Sequence, residues 1–291
     1  MLPKEILRQV RRIEIVTSRV VNESMAGRYG SVFKGRGIEF DEVREYQPGD
    51  EIRTIDWNVT ARTGRPYIKR YVEERELAVM FLVDLSRSME FGTVRLLKHR
   101  LATELCAVLA FSAIKNNDKV GLLLFTDRVE RYIPPKKGSN HVLRVIRDVL
   151  SFEPKYAATD IPAALQYLGR VLRRKTVVFL ISDFYCGDIT PALAVANRRH
   201  DLIAVRLVDP REETLPNAGW IRLESAEDGQ AVWIDSASGS VRETYASEAA
   251  ARKARLDAML KRSRTDSIEV RTDGSYVEPI LKFFHMRSLR R

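Results

Sequence analysis

The residues best suited to chemistry in this sequence are oxygen donors that close otherwise apolar segments. The run Val79 to Val83 ends in Asp84, followed at alternate positions by Ser86 and Ser88. A second run, Val177 to Ile181, ends in Ser182 and Asp183, and Thr159-Asp160 stands directly before the helical pattern "IPAALQYL". Carboxylates and hydroxyls are hard ligands, and Mg2+ takes about six oxygens in a near-octahedral shell. Oxygen-rich loops at neighbouring strand ends can therefore surround a hard cation. Serine and aspartate are also common helix caps and turn residues, so a lone Asp-x-Ser-x-Ser says little. The weight lies in three groups, in order, each at a strand end or before a helix.

These groups meet only if the intervening elements bring them together. "LAVMFLVD", "KVGLLLFT", "TVVFLISD" and "DLIAVRLVD" read as strands buried on both faces. Between them lie helical patterns: Val94, Leu97, Leu101, Leu105 and Val108 at helical spacing, then "HVLRVIRDVLSF", "IPAALQYLGRVL" and "TPALAVANRR". Pro162 suits the first turn of its helix, where a missing N–H does no harm. "VERYIPP" reads as an edge strand ended by its two prolines. Continuous apolar strands alternating with helices predict an α/β fold with a doubly wound, mostly parallel sheet covered on both faces. In such a sheet, ligands bind beyond the carboxyl ends of the strands.

The rhythm breaks over about residues 211–243, where "GWIRLES" and "QAVWIDS" around Asp228-Gly229 predict a β-hairpin insertion. A charged helix over about 247–264, a last strand "SIEVRT" and a last helix "PILKFFHMRSL" follow. Upstream, residues 4–21 carry an amphipathic helical pattern. Residues 27–76 are short alternating pieces between turn signals such as Pro48-Gly49-Asp50. The expected organisation is an N-terminal helix and small β-rich module over 1–76, then the main domain over 77–291.

Composition narrows the function classes. The formal charge is +10, with 49 Lys and Arg against 39 Asp and Glu. This is either a solvated basic surface or affinity for an acidic partner. Zinc-finger spacing, a glycine-rich helix entry and aromatic–basic interleaving are missing, so specific nucleic-acid recognition is not expected. No apolar run approaches the ~20 residues of a transmembrane helix, and the N-terminus has no signal-peptide pattern. Cys106 reads as a small buried hydrophobe, and a cytoplasmic location is expected. His99, His141, His200 and His285 are scattered, without metal-ligand spacing. Neither a Gly-x-Ser-x-Gly elbow nor a phosphate-binding Gly-x-x-x-x-Gly-Lys loop appears. Asp56-Trp57 with Arg62 and Arg65 reads as structural, a buried tryptophan beside a carboxylate–arginine pair.

The oxygen donors resemble the metal-ion-dependent adhesion site of von Willebrand factor A domains, which has the form Asp-x-Ser-x-Ser, then Thr, then Asp. Here that form falls on Asp84, Ser86, Ser88, Thr159 and Asp183. The resemblance implies Mg2+, with Mn2+ or Ca2+ as alternatives, bound directly by the serines and sometimes the threonine. The aspartates would bind directly or through water, and an acidic side chain of a partner would complete the shell. Two departures bear on loop shape: Phe184 follows Asp183 where glycine is frequent, and Ala157-Ala158 precede Thr159 where glycine is common.

A longer stretch is similar to the bacterial family catalogued as domain of unknown function 58. Gly35-Arg36-Gly37-Ile38-Glu39-Phe40, Tyr46-Gln47-Pro48-Gly49-Asp50 and Ile55-Asp56-Trp57, running into "VDLSRSMEFG", carry this likeness. It implies a von Willebrand A-like domain and an association with MoxR-type AAA+ ATPases and their client proteins. The expected function is thus a non-enzymatic, Mg2+-dependent protein-interaction module. A metal-assisted hydrolase is one competing class. A basic electrostatic adaptor to membrane or nucleic acid is the other.

Overall fold

Seven residues of unbroken apolar character cannot alternate one face to water, so both faces must be covered. The computed structural model describes residues 4–25, 29, 32–33, 39–72, 77–226 and 229–290. The chain divides into two compact units, one of residues 1–32 with 78–291 and one of residues 33–77.

In the larger unit, β3 (Ala78–Asp84), β4 (Lys119–Phe125), β5 (Val129–Lys136), β6 (Val177–Ser182), β7 (Asp201–Val208) and β10 (Asp266–Arg271) form one sheet, in the order β10-β7-β6-β3-β4-β5. All neighbours pair in parallel except β4 and β5. From central β3 the chain builds outward through β4 to β5, then crosses to β6 and builds the other way. The β3–β6 boundary is the topological switch point. This is the von Willebrand A-like, doubly wound arrangement expected from the sequence.

The helices are α3 (Lys98–Lys115), α4 (Ser139–Ser151), α5 (Ile161–Val171), α6 (Thr190–Arg199), the single turn α7 (Pro210–Glu213), α8 (Gly239–Arg262) and α9 (Val277–Leu289). Against one sheet face, Leu165 and Leu168 of α5, Leu193 of α6, and Leu256 and Leu260 of α8 close over Met80, Leu82, Val178 and Leu180. In the adjacent strands Phe81 and Phe179 lie in register and stack with centroids 5.7 Å apart. Burying such side chains contributes about 1.5–3 kcal/mol each before chain entropy is counted.

Several elements differ from the sequence reading. β5 runs through Pro134 and Pro135 instead of stopping before them. It is the sheet edge, where a residue without an N–H costs no ladder bond. α3 begins at Lys98 rather than near Val94, and α8 begins at Gly239, about eight residues early. The hairpin consists of β8 (Trp220–Glu224) and β9 (Ala231–Asp235), paired antiparallel with Trp220 opposite Asp235. Gly229 in its turn has φ +70°, and Asp228 lies outside the described residues.

The N-terminal helix α1 (Lys4–Val20) packs on α3 and α4 through Val10 and Ile13, within the sheet unit. The smaller unit therefore begins at Phe33, without the N-terminal helix, and ends at Leu77, one residue past the expected boundary. The smaller unit pairs β1 (Glu39–Glu45) with β2 (Tyr67–Val72) around α2 (Trp57–Thr63). Asp56 caps α2 by accepting from the N–H groups of Asn58 and Val59, and Gly64 ends it at φ +72°. Trp57 is 66% exposed, correcting the expectation of a buried tryptophan. The Gly35–Ile38 part of the family-like segment lies outside the described residues. Among the described residues, no helix is long and apolar enough to cross a membrane.

Candidate functional site

Asp84 is the last residue of β3 and fully buried. Its Oδ1 accepts from the Ser86 N–H at 2.8 Å, turning the chain tightly as it leaves the strand. A 3-10 turn over Arg87–Glu90 follows, with Ser86 Oγ and Ser88 Oγ 3.2 Å apart. The Arg87 N–H donates to the Ala157 carbonyl at 2.9 Å, joining this loop to the one that carries Thr159. Asp160 caps α5 by accepting from the Ala163 N–H at 2.8 Å, leaving Thr159 Oγ1 3.5 Å from Asp84 Oδ2.

β6 supplies the rest. Ser182 donates to Asp84 Oδ2 at 2.6 Å and accepts from the Phe184 N–H at 3.0 Å. Phe184, in the position where glycine is frequent, takes a left-handed backbone with φ +58° and a buried ring. A non-glycine residue there carries strain of roughly 1–3 kcal/mol. The sharp turn that glycine normally permits is thus kept. Asp183 Oδ1 accepts from the Tyr185 N–H at 3.3 Å, and its Oδ2 lies 2.5 Å from Lys98 Nζ.

Lys98 was not a candidate from the sequence, nor was Glu212. The lysine is fully buried at the start of α3, and its ammonium also meets Glu212 Oε1 at 2.5 Å. Glu212 Oε2 accepts from the Asp209 N–H at 2.9 Å, completing a capping box on α7. The rings of Tyr185 and Phe91 flank the ammonium, with centroids 5.5 and 5.9 Å away. Burial alone would lower the lysine's pKa, but Asp183 and Glu212 outweigh it and hold it above the ordinary value. No signal in the sequence pairs Lys98 with residues 85 and 114 positions away.

The five expected residues therefore gather at the carboxyl edge of β3 and β6, at the switch point. Asp84 and Asp183 are close enough to feel each other. Burial first, and the charge of Asp183 second, push the Asp84 pKa up to about 6 against the opposing hydrogen bonds of Ser182 and Ser86. Two ligands at right angles on Mg2+, each at about 2.1 Å, sit ~3 Å apart. The Ser86–Ser88 hydroxyl spacing of 3.2 Å matches that edge. Among the described residues, no group of three or more His, Cys, Asp or Glu side chains is arranged to hold a metal ion. A cation here would lean on the hydroxyls, with the carboxylates, already engaged by protein donors, reaching it through water.

The model of the family described as protein of unknown function DUF58 matches residues 42–255. The chain belongs to the DUF58 family. A relative in Mycobacterium tuberculosis H37Rv, the uncharacterized protein Rv1480, is 30% identical over 283 residues, covering 96% of this chain and 88% of its own length. Among solved structures, the conserved hypothetical protein BatB from Bacteroides thetaiotaomicron is similar over 73% of this chain and 99% of its own, with 16% identity and a TM-score of 0.48. An aerotolerance-related membrane protein from Bacteroides fragilis, solved with multiple mutations to serines, is similar over 74% of this chain and 100% of its own, with 17% identity and a TM-score of 0.49. Within this DUF58 chain the matched segment includes every oxygen donor of the site.

Proposed function

We propose that this DUF58 protein is a Mg2+-dependent protein-interaction module, acting with a MoxR-type AAA+ ATPase in the assembly or activation of client proteins. The observation that carries the reading is the pair of hydroxyls, Ser86 and Ser88, held 3.2 Å apart beside a buried Asp84 at the sheet's switch point. In this reading Ser86 and Ser88 hold the ion directly, with Thr159, Asp84 and Asp183 around it. Mn2+ or Ca2+ would bind the same donors. Hydroxyl ligands add no charge, so the ion keeps its attraction for an incoming carboxylate. That carboxylate belongs to the ATPase or its client.

The chemistry of the site favours binding over catalysis. Asp84 accepts from Ser86, Thr159 and Ser182, and Asp183 is tied to Lys98 and the Tyr185 N–H. Carboxylates held this way are placed to orient a shell rather than to take a proton from water. The partner and the ion come from the family resemblance and the donor set together. The location that goes with the reading is the cytoplasm, where an ATP-driven partner finds its nucleotide. The test is a binding titration against the ATPase, comparing wild type with Mg2+, wild type in EDTA, and Ser88→Ala. Equal affinity in all three would remove the cation from the docking surface.

A further inference from the structure

The candidate site opens at Ser88 and Asp183 into a cleft of ≈ 960 Å³. Its far wall is the β8–β9 hairpin. Along β8, Trp220 and Arg222 face outward and are exposed, whereas Ile221 and Leu223 turn inward and line the cleft, with the exposed Glu224 at its rim. Phe91, Tyr185, Leu215 and Met259 complete an apolar lining. Arg211, Arg252 and Arg255 line the same cleft. None of them pairs with a carboxylate among the described residues, whereas Asp183 and Glu212 share the single positive charge of Lys98 and Glu224 pairs with Arg87 and Arg222, so the three arginines still outweigh the remaining negative charge. The Arg252 guanidinium lies 5.6 Å over the Tyr185 ring and reaches only the Glu212 carbonyl, at 3.4 Å. The cleft thus combines an apolar body, uncompensated positive charge, and hydroxyl donors at one end.

We propose that this cleft receives a short acidic segment of a partner protein. An apolar side chain of that segment sits beneath the hairpin against Ile221 and Leu223, and a carboxylate beside it meets Arg252 and Arg255. A second carboxylate of the same segment would reach Ser88, so the inference rests there on the cation reading above. The charge decides the sign of the occupant, because a neutral or basic segment would leave the arginines without partners. The concave placement of the apolar residues decides its class. A bilayer is met by protruding apolar groups, and Ile221 and Leu223 point into the cleft. Arginine and aromatic side chains framing an apolar pocket are also the composition of energetically dominant protein contacts.

The experiment uses the full chain and a panel of fluorescein-labelled octapeptides that pair glutamate with Leu-Phe at several spacings. Matched peptides carry Glu→Gln or Leu-Phe→Ser-Ser. Binding is read by anisotropy with Mg2+, while Mg2+ binding itself is read by calorimetry. The expected result is binding by one or more acidic–apolar peptides, weakened roughly tenfold or more by either peptide change. The same loss is expected for Arg252→Glu with Arg255→Glu, and separately for Leu223→Ser, with Mg2+ binding retained. Peptide binding lost in Ser88→Ala but intact in both cleft variants would overturn the cleft and leave the cation reading standing. Loss in the cleft variants without any Mg2+ dependence would keep the cleft and remove the cation. Binding by no peptide of the panel, or equal binding by all three peptide types, would overturn the inference.

Discussion

Lys98 Nζ lies 2.5 Å from Asp183 Oδ2, and neither side chain has appreciable contact with water. The same ammonium lies 2.5 Å from Glu212 Oε1, so one buried cation joins the end of β6 to the start of α7. A buried charge stripped of its partner is far more costly than the intact pair is stabilising.

Lys98→Met should therefore destabilise the protein by about 3–5 kcal/mol. Urea unfolding at neutral pH measures this, and adding Glu212→Gln should recover part of the loss, because contacting residues are not additive. A loss below about 1 kcal/mol in the single variant, the size of an exposed ion pair, would show that the lysine does not hold the carboxylates together.

Ser182→Ala tests whether Asp84 is oriented for a cation. The serine donates to Asp84 at 2.6 Å and is not itself one of the five expected ligands. Removing a group that orients a ligand typically costs about 10–100-fold in metal affinity. Calorimetric Mg2+ titrations of wild type and Ser182→Ala give the comparison, and unchanged affinity would count against Asp84's role.

Asp209 should govern part of the acid stability. Burial alone would raise its pKa, but hydrogen bonds from Thr272, Thr93 and the Arg211 N–H outweigh it and hold it below the ordinary value. A carboxylate depressed on folding contributes stability that is present above its unfolded pKa of about 3.9 and lost as pH falls through the lower folded value. The urea midpoint of wild type should therefore drop as pH falls below about 4. In Asp209→Asn it should start lower and decline less steeply over that window. Parallel declines would assign the acid sensitivity to other groups.

Gly121→Ala should destabilise the edge of the sheet. A Cβ there would come within 2.8 Å of Met80 Cε and 3.0 Å of the Ile133 carbonyl oxygen and Pro135 nitrogen. Two of these neighbours are backbone and cannot yield cheaply, so overpacking of about 1–3 kcal/mol is expected. Thermal or urea unfolding measures it, and a neutral outcome would mean that β5 shifts freely against β4.

The parts of the fold visible in the sequence were those whose signal is local. Unbroken apolar runs at Val79–Val83 and Val177–Ile181 marked buried parallel strands, and the donors after them marked the edge where ligands bind. Element ends were less legible. The charged helix was expected from about residue 247, yet Gly239 and Ser240 open α8, because packing of Leu256 and Leu260 on the sheet governs that helix more than propensity does. Phe184 looked like a departure in loop shape, but the loop retained its left-handed turn. Lys98 was invisible for a different reason. A lysine at the head of an apolar helix reads as a surface residue, and only the sheet order brings Asp183 to it.

The position of α1 sets an order of events during synthesis. Its apolar face, with Val10 and Ile13, is covered by α3 and α4, while the separate unit of residues 33–77 lies between them in the chain. Translation at about 5–20 residues per second places the completion of α4 at Ser151 on the order of ten seconds after α1 leaves the ribosome. During that interval the part of α1 that α4 covers has no partner. A nascent chain halted before α4 has left the ribosome should hence present α1 to ribosome-associated chaperones, and one halted well after α4 has emerged should not.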